Sequence, residues 1–210
     1  MGILSRVFSS GEHEIFIRIS SIPKIAMKAN DNLKKVINGS NDLGRLKSLQ
    51  DESSKEMFSI SSAITSGSIA PNIIDNMLSL VGSEEEITDS IFNLSRQMVR
   101  HRLKEKEHKE YVNRNMSRMN ELAVKAIGHL YQMHFSSNID EIKRLRSEIK
   151  LLEHEGDRIK ESMLDFTYSS AKDFKSFYHM IHLARMSDDI LDACEDSSDT
   201  MLSIMLSITT

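Results

Sequence analysis

Two pairs of carboxylates lie in the last third of the sequence with the spacing of one helical turn. Glu153 and Asp157 form one acid-x-x-x-acid motif, and Asp188 and Asp192 form a second. Four residues advance an α-helix by about 400°, so the two acids of each motif project from one face. Like charges at this spacing repel each other. Two such pairs on consecutive helices therefore require a bound cation or opposing Lys and Arg side chains.

The ligand atoms of this cluster would all be carboxylate oxygens. Such a set favours hard cations, namely Mg²⁺, Mn²⁺, Ca²⁺ or ferric iron, over zinc or copper, and the residues do not decide among them. The connection from Tyr168 to Asp173 is short, so the two helices must be antiparallel and their acidic motifs must reach similar heights. The alternative is a solvated acidic helix face, which is the usual environment of Asp and Glu.

An incomplete version of the same arrangement lies in the first half of the chain. Glu85 and Asp89 repeat the acid pair on the third predicted helix, but the positions equivalent to the partner pair hold Gln50 and Ser54. Neutral side chains supply less charge to a cation than carboxylates do. We therefore expect the first half to bind metal weakly or not at all.

Long helices must position these acids, because the sequence contains few residues that make turns. Gly and Pro contribute only 8 and 2 of the 210 residues, which favours a few long helices over a sheet. The fold class predicted from this composition is all-α. Apolar periodicity predicts six helical segments, at about 12–37, 43–66, 71–98, 116–136, 138–168 and 170–208.

Local signals refine these helix boundaries. Pro23 predicts a break or kink within the first segment, because proline lacks an N–H group and restricts the residue before it. Asn138 with Glu141, and Ser170 with Asp173, have the spacing of capping residues. They predict the starts of the last two helices.

Matching residues recur at a fixed separation, which indicates two repeats of three helices. Ile87 and Ile190 have the same separation as Asp89 and Asp192. Unrelated amphipathic helices also share apolar matches, and that alternative stays open. The predicted organisation is a single domain, 1–210, made of two repeats, about 12–98 and 116–208.

The segment between the repeats is rich in charge. From Arg96 to Arg118 it contains eight Lys or Arg residues against three Glu. We interpret it as a charged, solvated helical connector, with contact to anionic lipid or to a membrane protein as the alternative.

Composition excludes several functional classes. A formal net charge of -4 lacks the broad basic surface of a nucleic-acid-binding protein. No apolar run is long enough for a membrane span, and the first residues lack the apolar core of a signal peptide. The single cysteine, Cys194, excludes a disulfide framework and suits a reducing compartment. We therefore expect a cytoplasmic protein with no nucleic-acid partner.

With these motifs and this helix order, the sequence resembles the PhoU-like proteins, in particular their shorter phosphate transport regulator branch. The likeness covers nearly the whole chain, with E-x-x-x-D in the second helix of a repeat and D-x-x-x-D in the third. It implies a six-helix PhoU-like bundle that binds iron, manganese, magnesium or zinc. The metal ligands that it implies are Glu153, Asp157, Asp188 and Asp192, with Glu85 and Asp89 as the remnant of a second cluster.

The resemblance also implies a non-enzymatic role. PhoU-like proteins modulate phosphate uptake or signalling, so the expected function is metal-dependent regulation of inorganic phosphate transport. The implied partner is a membrane phosphate transporter, contacted peripherally at the inner face of the membrane. Phosphate can complete the coordination of the metal, and a homo-oligomer is compatible with the resemblance.

A Mg²⁺-dependent enzyme is the alternative function. The segment from Asp188 to Asp192 satisfies the D-D-x-x-D motif with which the all-helical trans-prenyltransferases bind Mg²⁺ and diphosphate. Those enzymes are larger and carry an Arg pair after their first motif, which is absent after Asp89. His179 and His182 share a helix face in this region, and we interpret them as surface or boundary histidines.

Overall fold

The described part of the chain is entirely helical. The computed structural model describes residues 10–67, 69–101, 103–136 and 138–209. These residues form α1 (Ser10–Ile19), α2 (Ser21–Ile37), α3 (Gly44–Ser66), α4 (Pro71–Arg100), α5 (Lys106–Met133), α6 (Ile139–Ser170) and α7 (Phe174–Thr209). The predicted all-α class is confirmed. None of the described helices is long and apolar enough to span a membrane.

The first predicted helix is divided into two. Ser20 separates α1 from α2, and Pro23 lies in the first turn of α2, where its missing N–H group breaks no helical hydrogen bond. Pro71 is the first residue of α4 for the same reason. The break therefore falls just before the first proline, in the region that the sequence indicated.

The last two helices begin at capping side chains. Asn138 caps α6 as predicted, because its Oδ1 accepts a hydrogen bond of 2.9 Å from the backbone N of Asp140. The predicted start of α7 at Ser170 is wrong, since Ser170 is the last residue of α6. The cap of α7 is Asp173, whose Oδ1 accepts two backbone N–H bonds of 3.0 Å from the first turn. Asp and Ser are both good caps, so the sequence did not distinguish them.

Helices α2 to α7 form two groups of three that pack on each other, and α1 contacts α2 and α3. Helices α2, α3 and α4 contact one another, and so do α5, α6 and α7. Between the groups, α4 packs extensively on α7 and α2 packs on α5, so helices with equivalent places in the two halves meet. Ile87 and Ile190 are both buried in this core. We interpret the arrangement as the product of the two predicted repeats.

The charged connector is not one continuous helix, contrary to our interpretation of the sequence. Helix α4 ends at Arg100, the backbone is extended at His101 and Glu105, and α5 begins at Lys106. A continuous helix would carry the chain along the axis of α4 and away from the bundle. The break allows α5 to pack on α2, α6 and α7.

A buried ionisable pair joins the two halves. Glu84 of α4 and His134, which follows α5, are both 0% exposed, and Glu84 Oε1 lies 2.6 Å from His134 Nε2. Burial raises the pKa of Glu84 above its ordinary value, and the interaction with His134 opposes that rise. Phe16 packs on the His134 ring with a centroid separation of 5.3 Å. The pair thus lies in an apolar environment in which each group depends on the other.

Gly156 permits a close approach of α6 to α7. A Cβ atom at this position would lie 2.3 Å from Leu191 Cδ1 and 3.5 Å from Met119 Cε. Leu191 is buried, so its side chain has little space into which to move. Because Gly156 lies between Glu153 and Asp157, this close approach brings the acidic motif of α6 beside α7.

Gly156→Ala is expected to lower the free energy of unfolding by about 1–2 kcal/mol. Overpacking against Leu191 outweighs the helix propensity that alanine adds, which is at most about 1 kcal/mol. Gly128→Ala on α5 is the control, because its Cβ would meet nothing within 4 Å. The control should raise the free energy of unfolding by about 0.5–1 kcal/mol in urea denaturation. Equal stabilisation by both substitutions would contradict the close contact.

Glu84→Gln and Glu84→Ala are expected to separate charge from hydrogen bonding in the core. Gln can still pair with His134 and should change the free energy of unfolding by less than about 1 kcal/mol, whereas Ala leaves the imidazole unpaired and should cost about 3–5 kcal/mol. The folded-state pKa of Glu84 is raised, so its contribution to stability is lost as pH rises. The free energy of unfolding of the Gln variant should therefore increase relative to that of the wild type between pH 5 and pH 8, as measured by urea denaturation. An equal decrease in the free energy of unfolding for both variants would refute the pairing of Glu84 with His134.

Candidate functional site

Helices α6 and α7 bring the acids predicted in the second half into one cluster. Glu153 and Asp188 are only 7% and 4% exposed, Asp157 is half-buried and Asp192 is exposed. Charge interactions connect Glu153 with Asp157, and Asp192 with both Asp188 and Glu153. We call these four residues the acidic cluster. Two of its members are withdrawn from solvent, unlike the acids of an ordinary surface face.

Lys160 connects the two acidic motifs. Its Nζ donates hydrogen bonds to Asp157 Oδ1 on its own helix and to Asp188 Oδ2 on α7. Burial lowers the pKa of Lys160, but the hydrogen bonds to the two carboxylates more than offset this and raise the pKa above its ordinary value. The ammonium group therefore stays charged and acts as a built-in cation between α6 and α7.

Two carboxylate oxygens in the cluster are buried without a hydrogen-bond donor among the described residues. They are Glu153 Oε2 on α6 and Asp188 Oδ1 on α7. His154 Nδ1 lies 2.8 Å from Glu153 Oε2, but not in hydrogen-bond geometry. A buried carboxylate oxygen without a partner is costly, and a hard cation would satisfy it. The cluster therefore has the chemistry of a cation site.

The pKa values show that Lys160 does not neutralise the whole cluster. Although Asp192 is exposed, partial desolvation of its carboxylate raises its pKa to about 7, and the charges of Asp188 and Glu153 add to the rise. Burial also raises the pKa values of Asp188 and Glu153. Only Asp157 is shifted downward, because it accepts the hydrogen bond from Lys160. Negative charge that one lysine cannot compensate remains in the cluster.

His154 is a candidate ligand that we did not predict. Possible ligand atoms of Glu153, His154 and Asp157 all lie within 4.8 Å of one another. As the residue after Glu153, His154 is about 100° farther round the helix, so the four-residue spacing did not include it. Its exposed ring beside a buried carboxylate adds a nitrogen donor to a set of oxygens.

Neutral side chains satisfy the acids of the first half. Gln50 Nε2 donates to Asp89 Oδ1 at 2.7 Å, and Ser54 Oγ donates to Glu85 Oε1 at 2.6 Å. Asn93 Nδ2 donates to the second Asp89 oxygen at 2.8 Å. The structure thus pairs α3 with α4 at the positions that the proposed repeats equate with the acidic cluster. Because these carboxylate oxygens already accept hydrogen bonds, a cation that bound them would add less stabilisation, which supports the expectation of a weak first site.

The comparisons with known proteins support the fold. No protein-family model matches the sequence, and no curated protein matches it. The chain is similar to the crystal structure of a PhoU-like protein from Shewanella oneidensis MR-1, with a TM-score of 0.68 and 11% identity over 92% of this chain and 100% of that chain.

A second solved structure from the same bacterium gives the same result. It is named as a PhoU-like phosphate regulatory protein, and it matches with a TM-score of 0.65 and 13% identity over 94% of this chain and 98% of that chain. The predicted PhoU-like six-helix bundle is therefore confirmed as the fold. At these identities the likeness concerns the fold, and the function must be argued from the acidic cluster.

Asp192→Asn is expected to raise stability at pH 8 and to have little effect at pH 4. The folded-state pKa of Asp192 is about 7 against an ordinary value of 3.8, so the stability that its protonated form contributes is lost as pH rises through this interval. Asparagine carries no charge at either pH, so the variant does not lose this stability as the pH rises. Asp196→Asn, at an exposed position on the same helix, is the control in urea denaturation. Equal effects of Asp192→Asn at the two pH values would contradict the crowding of charge.

Proposed function

We propose that this PhoU-like bundle is a non-enzymatic regulator of inorganic phosphate transport that binds a hard metal cation at the acidic cluster. The observation that carries the proposal is the pair of buried carboxylate oxygens, Glu153 Oε2 and Asp188 Oδ1, that accept no hydrogen bond from the described residues. They lie on different helices, so one cation that binds both would fasten α6 to α7. Asp157 and Asp192 supply the remaining carboxylates of the proposed site.

The ligand atoms suit iron, manganese or magnesium. Carboxylate oxygens are preferred by all three, and a nitrogen from His154 would make the site acceptable to zinc as well. Lys160 competes with the metal, because it already contacts Asp157 and Asp188. In the first half, Glu85 and Asp89 form the weaker site of the proposal.

A membrane phosphate transporter is the proposed partner, contacted from the cytoplasmic side. The support is the PhoU-like fold together with the name of one similar structure, a phosphate regulatory protein. Hard cations with open coordination positions bind phosphate oxygens, so phosphate can complete the coordination of the metal. The cluster would then respond to the same anion whose transport the protein regulates.

The contacts of the acidic motifs do not favour the prenyltransferase alternative. Asp188, the first acid of the D-D-x-x-D motif, is bound to Lys160. Glu85 and Asp89 accept hydrogen bonds from α3. Each motif therefore contacts a neighbouring helix of its own half. Among the described residues, the two motifs do not face each other across a space that could hold one diphosphate.

Metal binding is tested by elemental analysis of the purified protein and by calorimetric titration with Mn²⁺ and Mg²⁺. Asp188→Asn combined with Asp192→Asn should weaken Mn²⁺ binding at least about tenfold, because two ligands lose their charge. Glu85→Gln combined with Asp89→Asn is the matched control, and it should leave the tighter site intact. Unchanged metal binding in the Asp188 and Asp192 variant would refute the proposed site.

Lys160→Gln tests the competition between the lysine and the metal. Removal of one positive charge within a few ångströms of the ligands should tighten Mn²⁺ binding about fivefold or more. Weaker binding in this variant would show that Lys160 supports the site instead of competing for it.

The regulatory role is tested by phosphate uptake in cells that lack the gene. The wild-type chain should restore the normal uptake rate, and the Asp188 and Asp192 variant should not. Chain elongation by the purified protein with allylic diphosphates, isopentenyl diphosphate and Mg²⁺ would instead establish the enzymatic alternative.

A further inference from the structure

A cavity of about 400 Å³ lies at the junction of the two halves. Its walls come from the end of α2 and the turn that follows, the end of α4, the first turns of α5, and α7. The volume falls in the range of small-molecule sites, about 300–1,000 Å³. The cavity shares no residue with the acidic cluster, and part of its wall comes from the charged segment 96–118 that the proposed function does not use.

The cavity combines an apolar floor with polar walls. Val99, Val112 and Leu183 are among the apolar side chains, while Asn113 and Ser117 offer an amide and a hydroxyl group. Among the described residues that line the cavity there is no Asp or Glu. An occupant with an apolar body could therefore lie on the floor without facing a carboxylate.

Two cations line the cavity. Lys109 and Arg114, both on α5, line the cavity, and neither forms an ion pair with a carboxylate that the structure describes. Lys106 and Arg118 on the same helix do pair with glutamates, at 3.7 and 3.9 Å. The guanidinium group of Arg114 lies over the Tyr111 ring, 5.4 Å from its centroid. Two positive charges at one cavity favour an anionic occupant.

A histidine pair lines the same cavity. The His101 and His179 rings pack edge to face, 5.1 Å apart, and His179 Nδ1 lies 3.3 Å from Gln97 Nε2. His179 is 4% exposed, so our interpretation of it as a surface or boundary residue is wrong. Burial, with the charges of His101 and His182, lowers the pKa of His179 to about 4. The ring is therefore neutral at pH 7 and adds a polar but uncharged surface.

The carboxyl end of α2 also faces the cavity, and its carbonyl groups would disfavour an anion. Most of these carbonyls are already used within the turn. The backbone N–H groups of Asn38, Gly39 and Ser40 donate to carbonyls of the last turn of α2 at 3.1, 2.9 and 2.9 Å. Gly39 permits this turn with a φ of 105°. The cationic side chains of α5 therefore dominate the charge at the cavity.

We propose that this cavity binds a small organic phosphate of about the size of a mononucleotide. The phosphate group would contact Lys109 and Arg114, and the apolar body would lie on Val99 and Leu183. Two cations that line one cavity match a dianionic phosphate better than a singly charged carboxylate. Inorganic phosphate alone would leave the apolar floor uncovered. The proposal is independent of metal binding, because the two sites share no residue.

Adenosine monophosphate, inorganic phosphate and adenosine are the probes, each titrated calorimetrically into the full chain. EDTA is present so that metal-bound phosphate does not contribute. Adenosine monophosphate should bind at least about tenfold more tightly than either of the others, because only it uses both the cations and the floor. The ring resonances of His101 and His179 should shift in NMR spectra on binding.

Lys109→Gln combined with Arg114→Gln should weaken binding of adenosine monophosphate at least about tenfold, through loss of two charge-assisted contacts. Both residues are exposed, so the variant should fold normally. Lys106→Gln combined with Lys125→Gln removes the same charge from exposed positions of α5 outside the cavity, and it should change the affinity less than about twofold.

Four results would overturn the proposal. They are absence of binding at millimolar adenosine monophosphate, an equal loss of affinity in the two double variants, adenosine binding as tightly as the monophosphate, and inorganic phosphate binding as tightly as the monophosphate. An equal loss in the two double variants would indicate that diffuse surface charge, and not the cavity, attracts the ligand. Equally tight binding of adenosine would show that the phosphate is not recognised, and equally tight binding of inorganic phosphate would show that the apolar body is not recognised.

Discussion

Repulsion among the carboxylates of α6 and α7 is the constraint on which the second half of the molecule depends. Lys160 relieves part of it by donating to Asp157 and Asp188 across the helix interface. The crowding of the acids contributes to the pKa of Asp192, which is raised to about 7 first by partial desolvation and then by its acidic neighbours. The bundle can therefore fold around its own cation and still attract another.

The fold was largely predictable because its causes are local. Few Gly and Pro residues, apolar periodicity and capping side chains such as Asn138 determine where helices form. The extended backbone at His101 and Glu105 was not predictable, because the charged sequence there is compatible with a helix. Only the need of α5 to pack back on the bundle interrupts it.

The acidic cluster was predictable in part, for a similar reason. The four-residue spacing and the short turn before α7 are properties of the sequence, so the meeting of the two motifs could be inferred. The position of Lys160 between them could not, because a lysine three residues after Asp157 is compatible with a simple pair on one helix. Its reach to Asp188 depends on the distance between α6 and α7, which the close contact at Gly156 sets. The cavity at the junction draws on four separate segments and has no sequence signature.

The two halves place different chemistry on the same framework. In the first half the uncharged donors Gln50 and Ser54 hold the carboxylates of Asp89 and Glu85, and Met57 stands where the repeat alignment places Lys160 in the second. Salt weakens a hydrogen bond from an uncharged donor less than it weakens an ion pair. A change in ionic strength would therefore act more strongly on the contact between α6 and α7, which several ion pairs hold, than on the contact between α3 and α4. The broad contact between α4 and α7 joins these two differently held halves.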